Sequence, residues 1–374
     1  MQKDLAKTLI KLLSAIFFVY LFLVAIGLMG TAFKGFGVGF AQKLIRTTAN
    51  PFVGLCIGIL TTSIIQSSSS TTSIVVGMVA SGVITVGNAV PIIMGANIGT
   101  TVTGTFVTLG HIGRREEFKR AVSGGTLNDF FKVMCVAIMF PLEIAFGFLQ
   151  KMAGRLACIF ADCGGINFTS PIKLATQPAV GFIKNIVLRI DAPADIPYIL
   201  LLIISVIFLF SALYFIVRLM SSLVVKRAEI VFNNVVGKHG LLAILAGFIF
   251  TVIIQSSSIT IALMIPLLGA GILTAQTMYP LIMGANIGTT VTAILASLAT
   301  ANIAAITVAF VHFLFNIIGV CCIYPIKPLR QIPRFLAEKL SEIAFKKRRY
   351  VILYIATLFF LIPSLFIALS KLIK

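Results

Sequence analysis

Ile64-Ile65-Gln66-Ser67-Ser68-Ser69 recurs as Ile253-Ile254-Gln255-Ser256-Ser257-Ser258, and the stretch from Met94 to Thr103 (MGANIGTTVT) recurs unchanged from Met283 to Thr292. Both pairs stand 189 residues apart, so no gap intervenes between the motifs. The chain is therefore read as two copies of one unit. Carried backward, the same offset lays the apolar run 8–30 onto 197–219, which is also apolar. The first run thus belongs to the repeat and is not a removable leader. It also exceeds the ~7–15-residue core of a signal peptide and approaches the ~20 residues that span a bilayer. The expected organisation is a first half at 1–150, a connector at 151–196, a second half at 197–345, and one additional C-terminal span at 346–374.

Composition sets the solvent. Of the 374 residues, 59% are apolar and only 11% charged, against about 25% charged in a soluble globule. Mean hydropathy is +1.09. A chain with so few charges cannot cover a water-exposed surface, which excludes a disordered protein and an ordinary cytosolic enzyme. The net charge of +19 would suit nucleic acid, but the basic residues sit between apolar runs, as in juxtamembrane loops. No nucleic-acid partner is expected. No CxxC pair with partner histidines suggests zinc. Cys158 and Cys163 could pair if their loop is non-cytoplasmic, and Cys321-Cys322 reads as core.

Loop charge orients the halves. Arg114, Arg115, Lys119 and Arg120 follow the first GANIGTTVT block, whereas its counterpart near 299–306 holds no Lys or Arg. The second half instead ends in Lys327, Arg330, Arg334, Lys339 and Lys346 to Arg349. With both basic loops inside, equivalent loops face opposite sides, an inverted-topology repeat of the kind many secondary transporters use. The N-terminus is then cytoplasmic and the C-terminus periplasmic. The fold class expected is an all-α polytopic membrane protein whose two inverted repeats each carry a re-entrant helical hairpin.

The hairpins are placed by polarity. Pro51 to Ile65 is about 15 residues, or ~22 Å as a helix, short of a ~30 Å hydrocarbon core. A cluster from Gln66 to Ser73 follows, then another short apolar run to Ile84. The second half repeats this between about 240 and 273. Non-helical backbone at membrane depth survives only when buried in protein or lining a watery cavity. Each tip would begin a half-helix whose N-terminus favours Ser or Thr caps and binds anions. Hydroxyls and N–H groups suit a small oxyanion; amide, hydroxyl and carbonyl oxygens suit Na⁺. Neither tip contains Lys or Arg, so the counter-charge must come from bound cations or from Lys132, the one basic residue in an apolar stretch. Asp129 beside an anion site makes electrostatic sense only if cations bind as well. The residues thus point to cation-coupled anion uptake.

Plainer readings exist for each feature. Membrane Ser and Thr often serve as interhelical glue, although two matching clusters at one offset weaken that account. Gly95, Gly99, Gly284 and Gly288 could permit close helix contact. Asp129 and Lys132, at i,i+3, could form a buried salt bridge. His111 reads as a solvated loop residue, His239 as a helix boundary and His312 as a hydrogen-bonded core histidine. The stretches near Lys226-Arg227 and 327–349 read as amphipathic interfacial helices. An intramembrane serine hydrolase would need a His or Lys beside the serines, and none is there. A channel is a second alternative, but an inverted pair favours alternating access.

Paired Gln-Ser-Ser-Ser tips, each followed by Gly-Ala-Asn-Ile-Gly-Thr-Thr, resemble the type II sodium–phosphate cotransporter family. The likeness extends over nearly the whole chain, through Phe118 to Ala121, Asp129-Phe130-Phe131, Pro141-Leu142-Glu143, His312-Phe313 to Asn316, Tyr324-Pro325-Ile326 and Pro363-Ser364-Leu365. The resemblance implies sodium-driven uptake of phosphate, the divalent form favoured, held between the two tips. It assigns phosphate to Ser67, Ser68, Ser69, Ser256, Ser257 and Ser258, and sodium to Gln255, Ser256, Thr289 and Thr292, with Gln66 and Thr100 as the first-half counterparts. Asp129 matches the aspartate of electrogenic members and implies a further sodium. Asn97, Asn286, Asn128 and Asn316 are carried over as structural motif residues. Ala285 stands where many animal relatives have Ser, which leaves one sodium ligand open. The short connector, with Asn167-Phe168-Thr169 as its one N-x-S/T, and the end at Lys374 suit a bacterial inner-membrane protein. No cofactor beyond Na⁺ as coupling ion is expected. The partners expected are phosphate, Na⁺ and lipid, with monomer or homodimer left open.

Overall fold

A computed structural model describes residues 50–80, 82–160, 171–190, 196–223, 239–298 and 302–372, with residue 193 and most positions between 9 and 35. Among the described residues all regular structure is helical. Described positions between 9 and 32 are helical. Asn50 then accepts from the N–H of Phe52 at 2.9 Å and Pro51 presets φ, so α1 starts at Pro51 and runs Pro51–Ile65. It stops at Gln66, which turns left-handed, and α2 follows as Ser68–Ala80.

The remaining elements are α3 (Val86–Gly99), α4 (Val102–Leu109), α5 (Arg115–Gly125), α6 (Leu127–Phe146), α7 (Phe148–Phe160), α8 (Pro171–Val187), α9 (Ile196–Leu223), α10 (Gly240–Ile254), α11 (Ser257–Gly269), α12 (Ala275–Leu298), α13 (Ile303–Ile323), α14 (Lys327–Lys346), α15 (Arg349–Ile355) and α16 (Ile362–Leu372). A π-helical stretch, Ala356–Leu361, joins α15 to α16. Pro363, lacking an N–H, cannot close the α-helical bond to Phe359, and the helix widens just before it.

Among the described residues, four helical stretches are long and apolar enough to cross a membrane: Val86–Leu109, Ala275–Leu295, Ile303–Ile323 and Arg349–Ser370. A fifth is reached if Arg115–Phe146 and Phe148–Phe160, bent by 79°, count as one span. Gly147, at φ 59°, makes that bend. The four helices flanking the Gln-Ser-Ser-Ser breaks are 13 or 15 residues each, too short to span alone.

The halves fold alike around the two breaks. Both breaks carry a left-handed Gln, at φ 54° and 59°. Gly82 and Gly271, 189 residues apart, both have positive φ. Thr85 and Thr274 accept from Asn88 N and Thr277 N, each at 3.2 Å, to start α3 and α12. The polar cluster differs from expectation: α2 begins at Ser68, so the break is only Gln66-Ser67 and the later hydroxyls lie on a helix. Ser and Thr can remain helical there because their hydroxyls bond back to carbonyls one turn earlier, as Ser73 does to Ser69 O at 2.8 Å.

Within each half, the motif glycines bring two backbones into contact. A Cβ on Gly95 would overlap the Leu55 carbonyl oxygen, and one on Gly284 the Ile244 carbonyl oxygen. Gly58 and Gly247 are equally tight against Ile92 and Leu281. Close helix contact is therefore what these glycines provide, α1 on α3 and α10 on α12.

Between halves the contacts are reciprocal. α2 packs on α12 and α13, while α11 packs on α4 and α5. The free carbonyl ending α2, Ala80 O, accepts from Asn302 Nδ2 of the second half at 3.4 Å. Its equivalent at the end of α11, Gly269 O, accepts from Arg120 Nε and Nη2 of the first half at 2.9 and 2.7 Å. The two accepting carbonyls are equivalent positions, while the donors, Asn302 and Arg120, are not. α14 buries Pro333, Ala337, Ser341 and Ala344 on one face and packs on α5 and α6, leaving Ile332, Phe335 and Leu336 exposed.

Candidate functional site

Each break is clipped by the same pair of threonines. Thr62 Oγ1 donates to Thr71 Oγ1 at 3.0 Å, and Thr251 Oγ1 to Thr260 Oγ1 at 2.9 Å. The first serine of each triplet caps the next helix: Ser67 Oγ accepts from Ser70 N at 3.2 Å, and Ser256 Oγ from Ile259 N at 3.3 Å. Ser67 also shares a 2.8 Å bond with Ser70 Oγ. Ser68 and Ser257 are buried, while Ser69 and Ser258 are half-buried.

Gln66 and Gln255 are the only non-glycine residues with positive φ among those described. That conformation costs a side-chain-bearing residue roughly 1–2 kcal/mol, and glycine would adopt it freely. Keeping Gln at both breaks is strain of the kind that collects at functional sites. Both side chains are buried, and Gln66 Nε2 has no protein partner. Gln255→Gly should therefore raise thermal stability in detergent, by about 1 kcal/mol. A glycine variant that melts below the wild type would contradict strain at this position.

The two halves meet at Thr100 and Ser258, whose hydroxyls lie 3.2 Å apart. Around them Thr101, Gly104, Asn128, Ser257 and Ile261 line a tight crevice that admits no water-sized sphere. Beside it sits Asp129, fully buried. Its Oδ2 accepts from Thr105 Oγ1 at 2.8 Å and from Tyr354 OH at 3.0 Å, and its Oδ1 has no partner. A bare carboxylate oxygen inside a membrane protein is costly unless a proton or a cation joins it. Thr103 Oγ1 is likewise buried without a partner. In the second half Thr289 is buried, and its carbonyl accepts from Thr292 Oγ1 at 2.8 Å.

The four asparagines tie the halves together reciprocally. Asn286 Nδ2 donates to Asn128 Oδ1 at 2.8 Å, and Asn316 Nδ2 to Asn97 Oδ1 at 3.1 Å. Lys132 joins the second pair, donating to Asn97 Oδ1 at 2.9 Å and to Asn316 Oδ1. Lys132 and Asp129 do not pair: three residues apart on α6, they bond to different partners, and no ion pair joins them among the described residues.

Three site residues escaped sequence reasoning. Thr105 and Tyr354 carry no spacing signal toward Asp129, and Tyr354 arrives from α15. Arg120, read as loop charge, instead caps α11. His111 is a correction: it is buried, packed against Gly269 and 3.6 Å from Glu117, because its loop folds onto the end of α11. Cys321 is exposed on the outer face of α13 rather than packed in the core. His312 is buried, but its Nδ1 has no partner. Cys163 and Lys226-Arg227 lie outside the described residues, as does the charge-free stretch 299–301.

Helices too short to span, paired polar breaks and buried charges inside an apolar bundle define a polytopic membrane protein with an internal polar site. The chain belongs to the Na⁺/Pi-cotransporter family, whose profile matches residues 21–164 and 207–337. That is a transport family rather than an enzyme family. The chain is 31% identical to sodium-dependent phosphate transport protein 2A of Ovis aries, over 97% of this chain and 68% of the relative. It is 32% identical to the 2A protein of Rattus norvegicus, covering 94% and 66%, and 31% identical to the 2B protein of Homo sapiens, covering 94% and 64%. The chain thus spans about two thirds of the length of these relatives. No solved structure matches it significantly.

Proposed function

We propose that the protein takes up inorganic phosphate, with the divalent form favoured, in symport with sodium across a cell membrane. The family membership carries this reading; the orphaned Asp129 Oδ1 and the crevice of hydroxyls and amides between the halves support it. Phosphate would be held by Ser68, Ser69, Ser257 and Ser258 with helix-start N–H groups, Ser67 and Ser256 shaping the two tips as caps. Sodium would take oxygens from Gln255, Ser256, Thr289 and Thr292, with Gln66 and Thr100 offering equivalent groups in the first half, and a further sodium would sit at Asp129. Both breaks act as re-entrant hairpin tips of inverted repeats, and the opposed loop charge supports that orientation. The closed crevice is then one stage of alternating access. The inner membrane of a bacterium, with the N-terminus inside and the C-terminus outside, fits the loop charge and the short connector.

Phosphate binding by the purified protein should require Na⁺, and sulfate should compete poorly. Ser257→Ala should chiefly weaken phosphate binding, whereas Thr289→Ala should chiefly raise the sodium requirement. Equal phosphate binding in choline and sodium buffers would sink the coupling. An anion channel is separated by counterflow: preloaded phosphate accelerates tracer entry through a carrier and not through a channel.

A further inference from the structure

Lys132 is a buried amine without a carboxylate partner. It is 1% exposed, and no Asp or Glu lies within ion-pair distance among the described residues. Its neighbours are the Oδ1 atoms of Asn97 and Asn316 and the ring of Phe315, whose centroid is 5.6 Å away. The amide orientations are fixed independently. Asn97 Nδ2 donates to Ile93 O at 2.9 Å and Asn316 Nδ2 to His312 O at 2.8 Å, so both amide oxygens must face the lysine. Three helices from both halves thus build a socket for one cation. The reciprocal contact, Asn286 with Asn128, has no lysine.

An ionisable group inside a membrane is expensive and needs a reason. Hydrogen bonding alone supplies a weak one, because Asn286 and Asn128 join the halves without a charge. Position supplies a better one. Asn128, which lines the crevice, lies one turn before Lys132 on the same face of α6. A one-turn rise is about 5–6 Å, placing the ammonium on the order of 10 Å from the crevice. At ~10 Å and an effective dielectric near 20, one unit charge alters the binding of another by roughly tenfold or more.

We propose that Lys132 is a fixed cation of the transport site: its charge strengthens phosphate binding in the crevice and weakens sodium binding at Asp129. Lys132 acts through space and by orienting Asn97 and Asn316, touching neither substrate. This rests on the transport reading above.

The test uses proteoliposomes held at zero membrane potential. Phosphate KM is measured at saturating Na⁺, and half-activating Na⁺ at saturating phosphate. Lys132→Met removes the charge at similar length. Asn316→Asp neutralises it by placing a carboxylate on the ammonium, and it carries the test alone if Lys132→Met fails to fold. Both variants should raise phosphate KM about tenfold or more and lower half-activating Na⁺ several-fold. A merely structural lysine would change the maximal rate, or move both constants the same way, and either result overturns the proposal. Wild-type vesicles without sodium-dependent uptake would refute the transport reading instead.

Discussion

Gly284→Ala should leave no folded protein in a detergent extract. The new methyl group would overlap the Ile244 carbonyl oxygen, with the Phe248 amide nitrogen next nearest. Both are helix backbone, so no side chain can swing aside. α10 would have to lift off α12, losing the close packing that holds membrane helices together where hydrophobic exclusion does not. Overpacking of this kind costs about 1–3 kcal/mol where a core can adapt, and more where it cannot. The second figure applies, because Gly247 and Gly288 line the same seam. Gly77→Ala is the control: no heavy atom lies within 4 Å of its added Cβ, and alanine is the better helix former by about 1 kcal/mol. Size-exclusion profiles should show a monodisperse peak for Gly77→Ala and aggregate for Gly284→Ala. A Gly284→Ala protein that elutes like wild type would mean that the two helices are further apart than described.

Asp129→Asn should cut uptake at ordinary sodium by ten- to a hundredfold and abolish its response to membrane potential. Asparagine can still accept from Thr105 and Tyr354, so the hydrogen bonds survive and only the charge goes. At ~4 Å and an effective dielectric near 20, the lost attraction for a cation is about 4 kcal/mol before desolvation offsets part of it. With divalent phosphate, two sodium ions give neutrality and a third leaves one positive charge moving inward. With the proposed sodium at Asp129, removing the carboxylate would remove the third. Tyr354→Phe separates charge from positioning: it should slow transport modestly and leave the voltage response intact. A wild-type protein indifferent to potential would remove the third ion from Asp129.

Much of this arrangement was legible because it is repeated. The 189-residue offset predicted two like halves, and the caps, the left-handed glutamines and the paired threonines recur at that spacing. Helix caps are local chemistry, so Ser67 and Ser256 could be read from neighbours alone. The partners of Asp129 and Lys132 could not. At i,i+3 on a helix the two look paired, but each is drawn to groups more than 20 residues away: Thr105 and Tyr354 for one, Asn97 and Asn316 for the other. Arg120 was obscured for a similar reason. In the sequence it is one of four clustered basic residues, and only the folded chain brings the end of α11 to it.

The most direct test of sodium-coupled phosphate symport is concentrative uptake. Proteoliposomes containing the purified chain and no internal sodium are diluted into sodium chloride or choline chloride with labelled phosphate, at equal pH and clamped potential. Phosphate should accumulate above its external concentration in sodium, fall back when a sodium ionophore collapses the gradient, and merely equilibrate or stay out in choline. The same uptake in sodium and choline, insensitive to the ionophore, would contradict the account.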